Sequence, residues 1–510
     1  MAEASTQVVA GACETAGERL WDGGRAAEKR SCGARCCRFV ICLALTFLSF
    51  VYRILTKQFP RPATRAGSSC EDERGSGMAR SNSKMRRLLA IGAASALAVG
   101  LAACSGGGGA KDENTVVWST WGTAEELTRY EEFNAEFMKR HPEITVKLQP
   151  VADYGDYHSK LLAQLASNTA PDVFYVGDDK MGQFVDSGRL MPLKKLMESK
   201  DSQTKPDDFY PGLFGVAEKD GEYYGAPNDS NPDVFWYDKQ ALAAAGITED
   251  PATLAENGEW TTGKFLEMNA KLKDAGLTGS MFWNYWATHW SWLSSQGLPA
   301  PYDESGAFTA NTDQGSVDAI DQLGGLFQDG TFVVADTLPD GAGADSVFVT
   351  HKSGFFVQGR YTIGTVQTAG DPEDYDIVRW PTPDGQAAPT GVAASYLAIN
   401  GKTKAKDAAF TFWTEFLSAE GQTFRLQGGG NAVPSIKGAD DVVLEDGYPA
   451  HAQTFLDMRD IGFEDYAPEA RVPGLSTDIS DEFLKLYEGK ADAQQTLDAA
   501  ADLVAEKSGE

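Results

Sequence analysis

The sequence predicts an α/β fold, in which helices cover a mostly parallel sheet. Strand and helix patterns alternate between Thr115 and Val176, as they do in βαβ units. The 406 residues after Cys104 contain no cysteine, so neither a disulfide framework, a cysteine-based metal site nor a cysteine nucleophile is present in them. A segment of 406 residues is long enough for two or three domains.

The first run of elements follows from hydrophobic periodicity. Apolar residues cluster on one face where a helix is predicted, and they alternate with polar residues where a half-buried strand is predicted. The predicted elements are a strand at 115–118, a helix carrying Leu127 to Phe137, a strand at 144–148, a helix carrying Leu161 to Leu165 and a strand at 173–176. Ligands of such sheets bind in loops beyond the carboxyl ends of the strands, and 118–122 and 177–180 are two such loops.

The middle and end of the chain are less regular. Residues 225–233 are polar and rich in turn formers, which predicts a crossing of the chain between two parts of the fold. Aromatic residues are concentrated at 282–286. The remaining predicted elements are a strand at 234–237, amphipathic helices around 315–327 and 408–417, and a strand within 391–400.

An export signal precedes this body. Two arginines at 86–87 are followed by an apolar run and then by Leu101-Ala102-Ala103-Cys104. A secretory signal peptide typically begins with positively charged residues, continues with a short hydrophobic segment and ends with small residues before the cleavage site. The cysteine makes the motif resemble the lipobox of bacterial lipoproteins; a plain signal peptide with a chance cysteine is the alternative. The predicted segments are a signal peptide at 78–104, a lipidated Cys104 and a flexible Gly/Ser tether at 105–112.

Residues 1–77 differ in character from the rest of the chain. Their apolar run, 39–52, is shorter than the about 18 residues that a membrane-spanning helix needs. We expect translation to begin at Met78 or Met85, so that 1–77 is a misassigned or non-native extension. An authentic additional membrane anchor is the alternative.

The charge composition of the chain changes at Cys104, the position after which there are no cysteines. There are 15 Lys/Arg and 8 Asp/Glu up to Cys104, which leaves 30 and 65 for the remainder and a net charge of about −35. Such an acidic surface repels phosphate backbones, so nucleic acid is not an expected partner.

Several short motifs, together and in order, resemble a known family. The motifs stand at 117–118, 170–173, 186–193, 224–227, 236–239, 391–400 and 416–422. They are similar to those of the extracellular solute-binding proteins (family 1, carbohydrate-uptake class) of bacterial ABC transporters, the class that includes maltose-binding protein. The resemblance covers about 113–505.

The resemblance implies two α/β lobes that close on a ligand about a hinge, with the ligand cleft between them. One lobe would hold 113–228 and 391–431, and the other 229–390 and 432–510. The expected function is capture of an oligosaccharide outside the cell and its delivery to a permease powered by a cytoplasmic ATPase. The expected protein is a lipid-anchored monomer without enzymatic activity, cofactor or metal.

The candidate ligand-binding residues combine aromatic rings with carboxylates and amides. A pyranose has apolar faces and a rim of hydroxyls, so its site needs both kinds of group. Residues 283–286 supply both within one short stretch, whereas the tryptophans at 290 and 292 are expected in the core. The other candidates come from loops where the family binds its ligand. The complete set is Trp121, Asp178, Asp179, Asp229, Asn231, Trp283, Asn284, Tyr285, Trp286, Arg360 and Tyr361.

Other functions are weaker interpretations of the sequence. Asp229, Asn231 and Asp233 have the spacing of a calcium loop, but Val234 and Gln240 replace its glycine and glutamate. The five histidines are too far apart for a short zinc motif, and the glycine run before Lys111 lacks the spacing of a P-loop. A pair of the many carboxylates could flank a glycosidic bond, so a glycoside hydrolase stays open as an alternative. A carbohydrate-adhesion lipoprotein is the third.

Overall fold

Two β-sheets, each covered by helices, form the folded part of the chain. The computed structural model describes residues 113–122, 124–151, 154–338, 343–369 and 371–508. The predicted signal peptide, Cys104 and the tether lie outside the described residues. The sheet that contains the strand Thr115–Thr120, with the helices that cover it, is called lobe 1. The sheet that contains the strand Val234–Asp238, with its helices, is called lobe 2.

Among the described residues, ten strands form the two sheets, and two further strands at 218–219 and 222–223 pair only with each other. All of the strands are short. They are β1 (Thr115–Thr120), β2 (Thr145–Pro150), β3 (Val173–Gly177), β4 (Glu218–Lys219), β5 (Glu222–Tyr223), β6 (Ala226–Pro232), β7 (Val234–Asp238), β8 (Thr278–Phe282), β9 (Phe332–Val334), β10 (Ser353–Gln358), β11 (Tyr375–Val378) and β12 (Val392–Ile399).

The helices of the described residues vary from one turn to more than four. They are α1 (Ala124–Arg140), α2 (Tyr154–Ser167), α3 (Asp178–Asp186), α4 (Lys194–Met197), α5 (Lys239–Ala244), α6 (Pro251–Glu256), α7 (Thr262–Asp274), α8 (Trp286–Ser295), α9 (Gln314–Gln328), α10 (Gly343–Phe348), α11 (Ile363–Ala369), α12 (Lys406–Leu417), α13 (Ala419–Leu426), α14 (Asp441–Leu444), α15 (Gln453–Ile461), α16 (Ala467–Arg471), α17 (Leu475–Tyr487) and α18 (Ala493–Ser508).

Lobe 1 is built on the strand order β2-β1-β3-β12-β6. β1 runs parallel to β2 and β3, so the predicted βαβαβ run and its parallel pairing are confirmed. β12 is antiparallel to both β3 and β6. Trp118 on β1 packs within 6 Å of the rings of Tyr130, Phe412 and Phe416, which fixes α1 and α12 on one face of the sheet.

Lobe 2 is built on the strand order β11-β7-β10-β8-β9. β8, β9 and β10 are parallel, and β7 is antiparallel to β10 and β11. Trp290 and Trp292 on α8 are fully buried in the core of this lobe, as the sequence predicts.

The predicted turn-rich crossing at 225–233 is instead a strand, β6, along most of its length. Its prolines, Pro227 and Pro232, are tolerated because β6 is the edge strand of its sheet and a register shift interrupts its pairing with β12. The chain crosses to lobe 2 only at Asp233, where the Asp233 N–H donates to the Gly391 carbonyl at 2.9 Å. Gly391 directly precedes β12, where the chain has returned to lobe 1. The outgoing crossing and the returning crossing therefore lie side by side.

The C-terminal part of the chain contacts both lobes. Ile436 and Ala439 lie in the core of lobe 1, whereas Phe455 and Met458 lie in that of lobe 2. α16 packs closely on α3, because Gly182 leaves room for the Ala470 carbonyl. Within the part of the chain that the structure describes, no helix has the length and apolar character needed to cross a membrane.

Candidate functional site

A cleft of about 1370 Å³ lies between the lobes, beyond the carboxyl ends of β1, β3, β8 and β9. The polar and aromatic side chains that line it are Trp121, Glu126, Arg129, Tyr130, Tyr175, Asp178, Asp179, Asp229, Asn231, Trp283, Asn284, Tyr285, Trp286, Asp336, Asp345, Tyr361, Thr365, Thr368, Ser395, Arg425, Asn431, Ser476, Thr477, Ser480 and Asp481. The structure thus brings all the predicted site residues to one cleft except Arg360.

Trp121 forms an aromatic surface on lobe 1, in the loop that follows β1. It is half-buried, and its ring centroid lies 5.2 Å from those of Tyr157 and His158 and 5.7 Å from that of Tyr175. Neighbouring rings of this kind fix the orientation of the indole. Its remaining surface faces the cleft.

Asp178 and Asp179 are the first two residues of α3. The helix dipole favours carboxylates at this end. Burial, and then the charge of Asp179, nevertheless raises the pKa of Asp178 to about 7. The Trp286 Nε1 of lobe 2 donates a hydrogen bond to Asp178 Oδ2 at 3.0 Å. This bond joins the two walls of the cleft.

Trp283 forms the aromatic surface on lobe 2, directly after β8. Its Nε1 donates to Gln358 Oε1 at 3.0 Å, and its ring centroid lies 5.9 Å from that of Phe356. The side chain is half-buried. A ring held at one edge and open on another side can stack on the apolar face of a sugar.

Asn284 is held by three hydrogen bonds. Its N–H donates to Asp336 Oδ2 and its Nδ2 to the Ser480 carbonyl, both at 2.8 Å. Its Oδ1 lies 3.1 Å from His289 Nε2. Burial lowers the pKa of His289 to about 3, so the imidazole is neutral and its Nε2 donates to the amide oxygen. The position of Asn284 is therefore fixed before any ligand binds.

Tyr285 and Trp286 form the base of the cleft rather than a free surface. The Tyr285 hydroxyl donates to the carboxylate of Asp233, and burial raises the pKa of Asp233 to about 7. Trp286 is only 1% exposed, whereas Trp283 is half-buried. Of these rings, Trp283 has the more accessible surface.

Asp229 and Asn231 lie on β6, close to the first crossing. Ser395 Oγ donates to Asp229 Oδ1 at 2.6 Å, and Asn228 Nδ2 donates to its other oxygen. Burial raises the pKa of Asp229 to about 6. Asn231 Oδ1 accepts a hydrogen bond from the backbone N–H of Arg360 at 3.0 Å.

The sequence predicts that Arg360 contacts the ligand, but in the structure it lies behind the wall of the cleft and does not line it. Its guanidinium is buried and donates to the carbonyls of Gly430 and Ala432, and to that of Val442 at 3.0 Å. Burial lowers the pKa of Arg360 to about 10, which leaves it charged at neutral pH. These carbonyls replace the water that the guanidinium loses on burial, and the bonds tie the segment 430–442 to Arg360 in lobe 2. The neighbouring Tyr361 is 40% exposed and lines the cleft.

Several polar residues of the cleft are not predicted from the sequence, chiefly Glu126, Asp336, Asp345 and the two arginines at 129 and 425. Asp336 could have been found, since it follows β9 as Asp178 follows β3. Glu126 and Asp345 carry no signal of their own among 65 acidic residues, and no local pattern marks the two arginines. Among the described residues, no group of three or more His, Asp or Glu side chains is arranged to hold a metal ion.

The chain is similar to several known proteins. It is 23% identical over 403 residues to an sn-glycerol-3-phosphate-binding periplasmic protein of Rhizobium meliloti, an alignment that covers 74% of this chain and 88% of the relative. It is 24% identical over 166 residues to an uncharacterized ABC transporter extracellular-binding protein of Pyrococcus horikoshii, covering 32% of this chain and 35% of that protein.

A solved structure shares the fold. The ABC substrate-binding protein of Listeria monocytogenes in complex with cycloalternan superposes with a TM-score of 0.68 at 20% identity, over 78% of this chain and 100% of that one. This likeness confirms the expected two-lobe α/β fold. The family profile described as bacterial extracellular solute-binding protein matches residues 121–423, which is more than half of the sequence. The chain belongs to the family of bacterial extracellular solute-binding proteins.

Proposed function

We propose that this protein is the lipid-anchored substrate-binding component of an ABC importer and that it captures an oligosaccharide between its lobes. The observation that carries the proposal is the composition of the cleft: aromatic surfaces on both lobes, at Trp121 and Trp283, with carboxylates and a fixed amide beside them. Rings match the apolar faces of pyranoses, and carboxylates and amides match their hydroxyls. The ligand is transported and not cleaved.

The size of the cleft supports a ligand of several sugar rings. Pockets that enclose a drug-sized molecule have volumes of about 300–1,000 Å³. The cleft, at about 1370 Å³, is larger than this range. A glycerol phosphate would leave most of it filled with water.

Charge also favours a sugar over a phosphate ester. Seven carboxylates and two arginines line the cleft. Both arginines are engaged with the protein: Arg129 donates to the carbonyls of Arg425 and Gln427, and Arg425 to those of Asn228 and Phe416. A phosphate requires donors and positive charge that are free to meet it. We therefore place the neutral sugar before the phosphate ester named for the Rhizobium relative.

The site and domain assignments belong to the same proposal. The proposed ligand contacts are Trp121, Asp178, Asp179, Asp229, Asn231, Trp283, Asn284, Tyr285, Trp286 and Tyr361, with Arg360 as a positioning residue. The expected lobes are 113–228 with 391–431, and 229–390 with 432–510; because β6 belongs to the sheet of lobe 1, we propose that the first boundary lies after Pro232, and the last segment also contacts lobe 1. The proposed monomer is held at the outer face of the cell membrane by a lipid on Cys104 and meets the transmembrane subunits of its permease there.

A thermal-shift screen of the purified protein against malto-, cello- and xylo-oligosaccharides and glycerol 3-phosphate tests the ligand class. A bound ligand raises the melting temperature by mass action. We expect a shift with an oligosaccharide and none with glycerol 3-phosphate; the reverse result would contradict the proposal. Release of a shorter sugar during incubation would support the glycoside hydrolase instead.

Membrane fractionation tests the anchor. We expect the wild-type protein in the membrane fraction of a bacterial host and a Cys104→Ala variant in the soluble exported fraction. Mass spectrometry of the exported protein should place the first residue at an acylated Cys104. Peptides from 1–77 on the exported protein would contradict both the cleavage point and the proposed start of translation.

A further inference from the structure

A buried histidine lies directly behind one residue of the cleft. His289 is on α8, is fully buried and does not line the cleft, but its Nε2 is 3.1 Å from the side chain of Asn284, which does. The imidazole stacks on the ring of Phe483 from α17, with ring centroids 3.8 Å apart and planes at 7° to each other. A phenylalanine could stack in the same way, so packing alone does not explain a polar ring at this position.

The hydrogen bonds of Asn284 determine which nitrogen of His289 carries the hydrogen. The Ser480 carbonyl can only accept, so Nδ2 is the group of Asn284 that meets it at 2.8 Å. The amide oxygen of Asn284 therefore faces His289 Nε2, and because this oxygen is an acceptor it requires a hydrogen on that nitrogen. Burial lowers the pKa of His289 to about 3, so the ring is neutral and its Nδ1 carries no hydrogen.

The other nitrogen of the imidazole has no partner. His289 Nδ1 is buried, and within the described residues no group donates a hydrogen bond to it. A buried acceptor without a donor lowers the free energy of unfolding. The imidazole thus loses hydration at one nitrogen and gains only the bond to Asn284 at the other. That bond is the interaction that a phenylalanine could not supply.

We propose that His289 is a positioning residue that orients the Asn284 amide towards a hydroxyl of the bound ligand. This inference rests on the proposed function and assigns part of the binding of the sugar to a residue outside the cleft. An amide group has two donor hydrogens and two acceptor lone pairs. The Ser480 carbonyl engages one hydrogen of Asn284, and His289 engages one lone pair. One of each is left, and a sugar hydroxyl can accept from the first or donate to the second.

Titration calorimetry of two variants tests the positioning role. The probes are maltotriose, cellotriose and xylotriose, and the sugar that the wild type binds most tightly is used for the variants. His289→Phe keeps a ring against Phe483 but removes the donor to Asn284, so we expect the affinity to fall about 5-fold, as the loss of one neutral hydrogen bond would give. His289→Gln can still donate through its amide and should bind within about 2-fold of the wild type.

A double-mutant cycle tests whether the effect passes through Asn284. In Asn284→Ala the amide is absent, so adding His289→Phe should weaken sugar binding by less than about 2-fold further. Losses that multiply would mean that His289 acts on the cleft by another route, and they would overturn the proposal.

Tyr487→Phe is the matched control. The Tyr487 hydroxyl is also buried without a partner, and the centroid of its ring lies 6.2 Å from that of His289. Tyr487 does not line the cleft. Removing its hydroxyl should therefore leave the sugar affinity unchanged, although it removes a polar atom from the same group of rings.

The hydrogen on Nε2 can be observed without any ligand. In ¹⁵N NMR of the wild-type protein, with the ring assigned through its bonds to the backbone of residue 289, we expect a neutral imidazole with its hydrogen on Nε2 from about pH 5 to 8. A hydrogen on Nδ1 would overturn the proposal. This measurement decides the question if the His289 variants do not fold.

The outcomes separate this inference from the proposed function. A sugar that binds the wild type and His289→Phe equally well overturns the positioning role and leaves the oligosaccharide function standing. If glycerol 3-phosphate binds and no sugar does, the oligosaccharide function fails, and a loss in His289→Phe that requires Asn284 still supports the positioning role. If neither kind of ligand binds, both proposals fail.

Discussion

Two tryptophans of equal size distinguish the site from the core at the scale of single residues. Trp413 on α12 is fully buried, and its Nε1 donates to the Leu397 carbonyl at 2.8 Å. Trp283 is half-buried at the cleft. The side chain of Trp413 is therefore enclosed by protein, whereas that of Trp283 has surface that a ligand would cover.

Replacing each by alanine should give opposite results. Trp413→Ala should lower the free energy of unfolding by about 3–5 kcal/mol through lost burial and a cavity. Trp283→Ala should cost less stability but weaken sugar binding by about 1.5–3 kcal/mol, roughly 10- to 150-fold in dissociation constant. Chemical denaturation without ligand and titration calorimetry with the sugar measure the two effects. If Trp283→Ala unfolds the protein while binding in the folded fraction is normal, the ring belongs to the core.

The positions of some residues could be predicted from the sequence, and those of others could not. Trp121 and Asp178 could be placed at the cleft because each directly follows a recognisable parallel strand. Arg360 could not be placed, because its guanidinium turns towards carbonyls that follow it in sequence by about 70 to 82 residues. Asp345 pairs with Gln358 and Thr362 through the tertiary fold, and no local pattern marks it.

At the scale of elements, α3 and α16 meet through a position without a side chain. A Cβ on Gly182 would stand 2.6 Å from the Ala470 carbonyl oxygen, which is backbone. The loop before α16 contains Phe463, whose N–H donates to the Thr390 carbonyl and whose carbonyl accepts from the N–H of Val392, the first residue of β12. The contact therefore positions one of the crossings that connect the lobes.

Gly182→Ala should be destabilising and Gly325→Ala stabilising, although both glycines lie within helices. The first adds a methyl group where backbone must move, at a cost of about 1–3 kcal/mol. The second adds it to the exposed face of α9, where nothing lies within 4 Å, and should gain about 0.5–1 kcal/mol. Denaturant midpoints of both variants measure the difference. Equal midpoints would mean that α16 moves freely on α3.

The helices with a clear hydrophobic period and the strands β1, β2, β3, β7 and β12 are predicted to within two residues, whereas the edge strand β6 is not. α9 and α12 extend by no more than two residues at each end beyond their predicted ranges, since their apolar faces define them. The sequence predicts a crossing in place of β6, because Pro227 and its polar neighbours are typical of a turn. The segment is a strand because β12 and Val433 supply hydrogen-bond partners from far along the chain.

At the scale of the whole molecule, buried carboxyls make stability depend on pH. Burial raises the pKa of Asp178, Asp233 and Glu469 to about 7 each, and that of Asp229 to about 6. In the unfolded chain these groups ionise near pH 4, so between about pH 4 and 7 the native state binds more protons. Raising the pH through this range must therefore lower the free energy of unfolding.

We expect the melting temperature of the ligand-free protein to fall between about pH 5 and pH 8. Asp233→Asn should flatten this fall, because the amide can still accept from Tyr285 but does not ionise. Asp303→Asn is the control: Asp303 is exposed, and hydrogen bonds from Ser305 hold its pKa below the usual range, so its loss should leave the slope between pH 5 and 8 unchanged. A melting temperature that rises with pH would contradict the assignment of these groups as buried acids.

The two-lobe fold allows the lobes to close on a ligand. The two sheets are joined by short crossings, and across the cleft Trp286 donates to Asp178 at 3.0 Å. A ligand that contacts both walls stabilises the closed arrangement over the open one, and the equilibrium shifts by that difference in affinity.

Small-angle scattering should therefore show a smaller radius of gyration when the oligosaccharide found by the thermal-shift screen is added at saturation. Trp286→Phe removes the indole donor while keeping a ring, so in the absence of sugar it should have a larger radius of gyration than the wild type. Its sugar affinity should fall, since the competent closed state is then less populated. Trp290→Phe is a matched control, because that indole donates to Glu469 and lies outside the cleft lining. A scattering curve that does not change with saturating sugar would mean that the cleft binds its ligand without hinge closure.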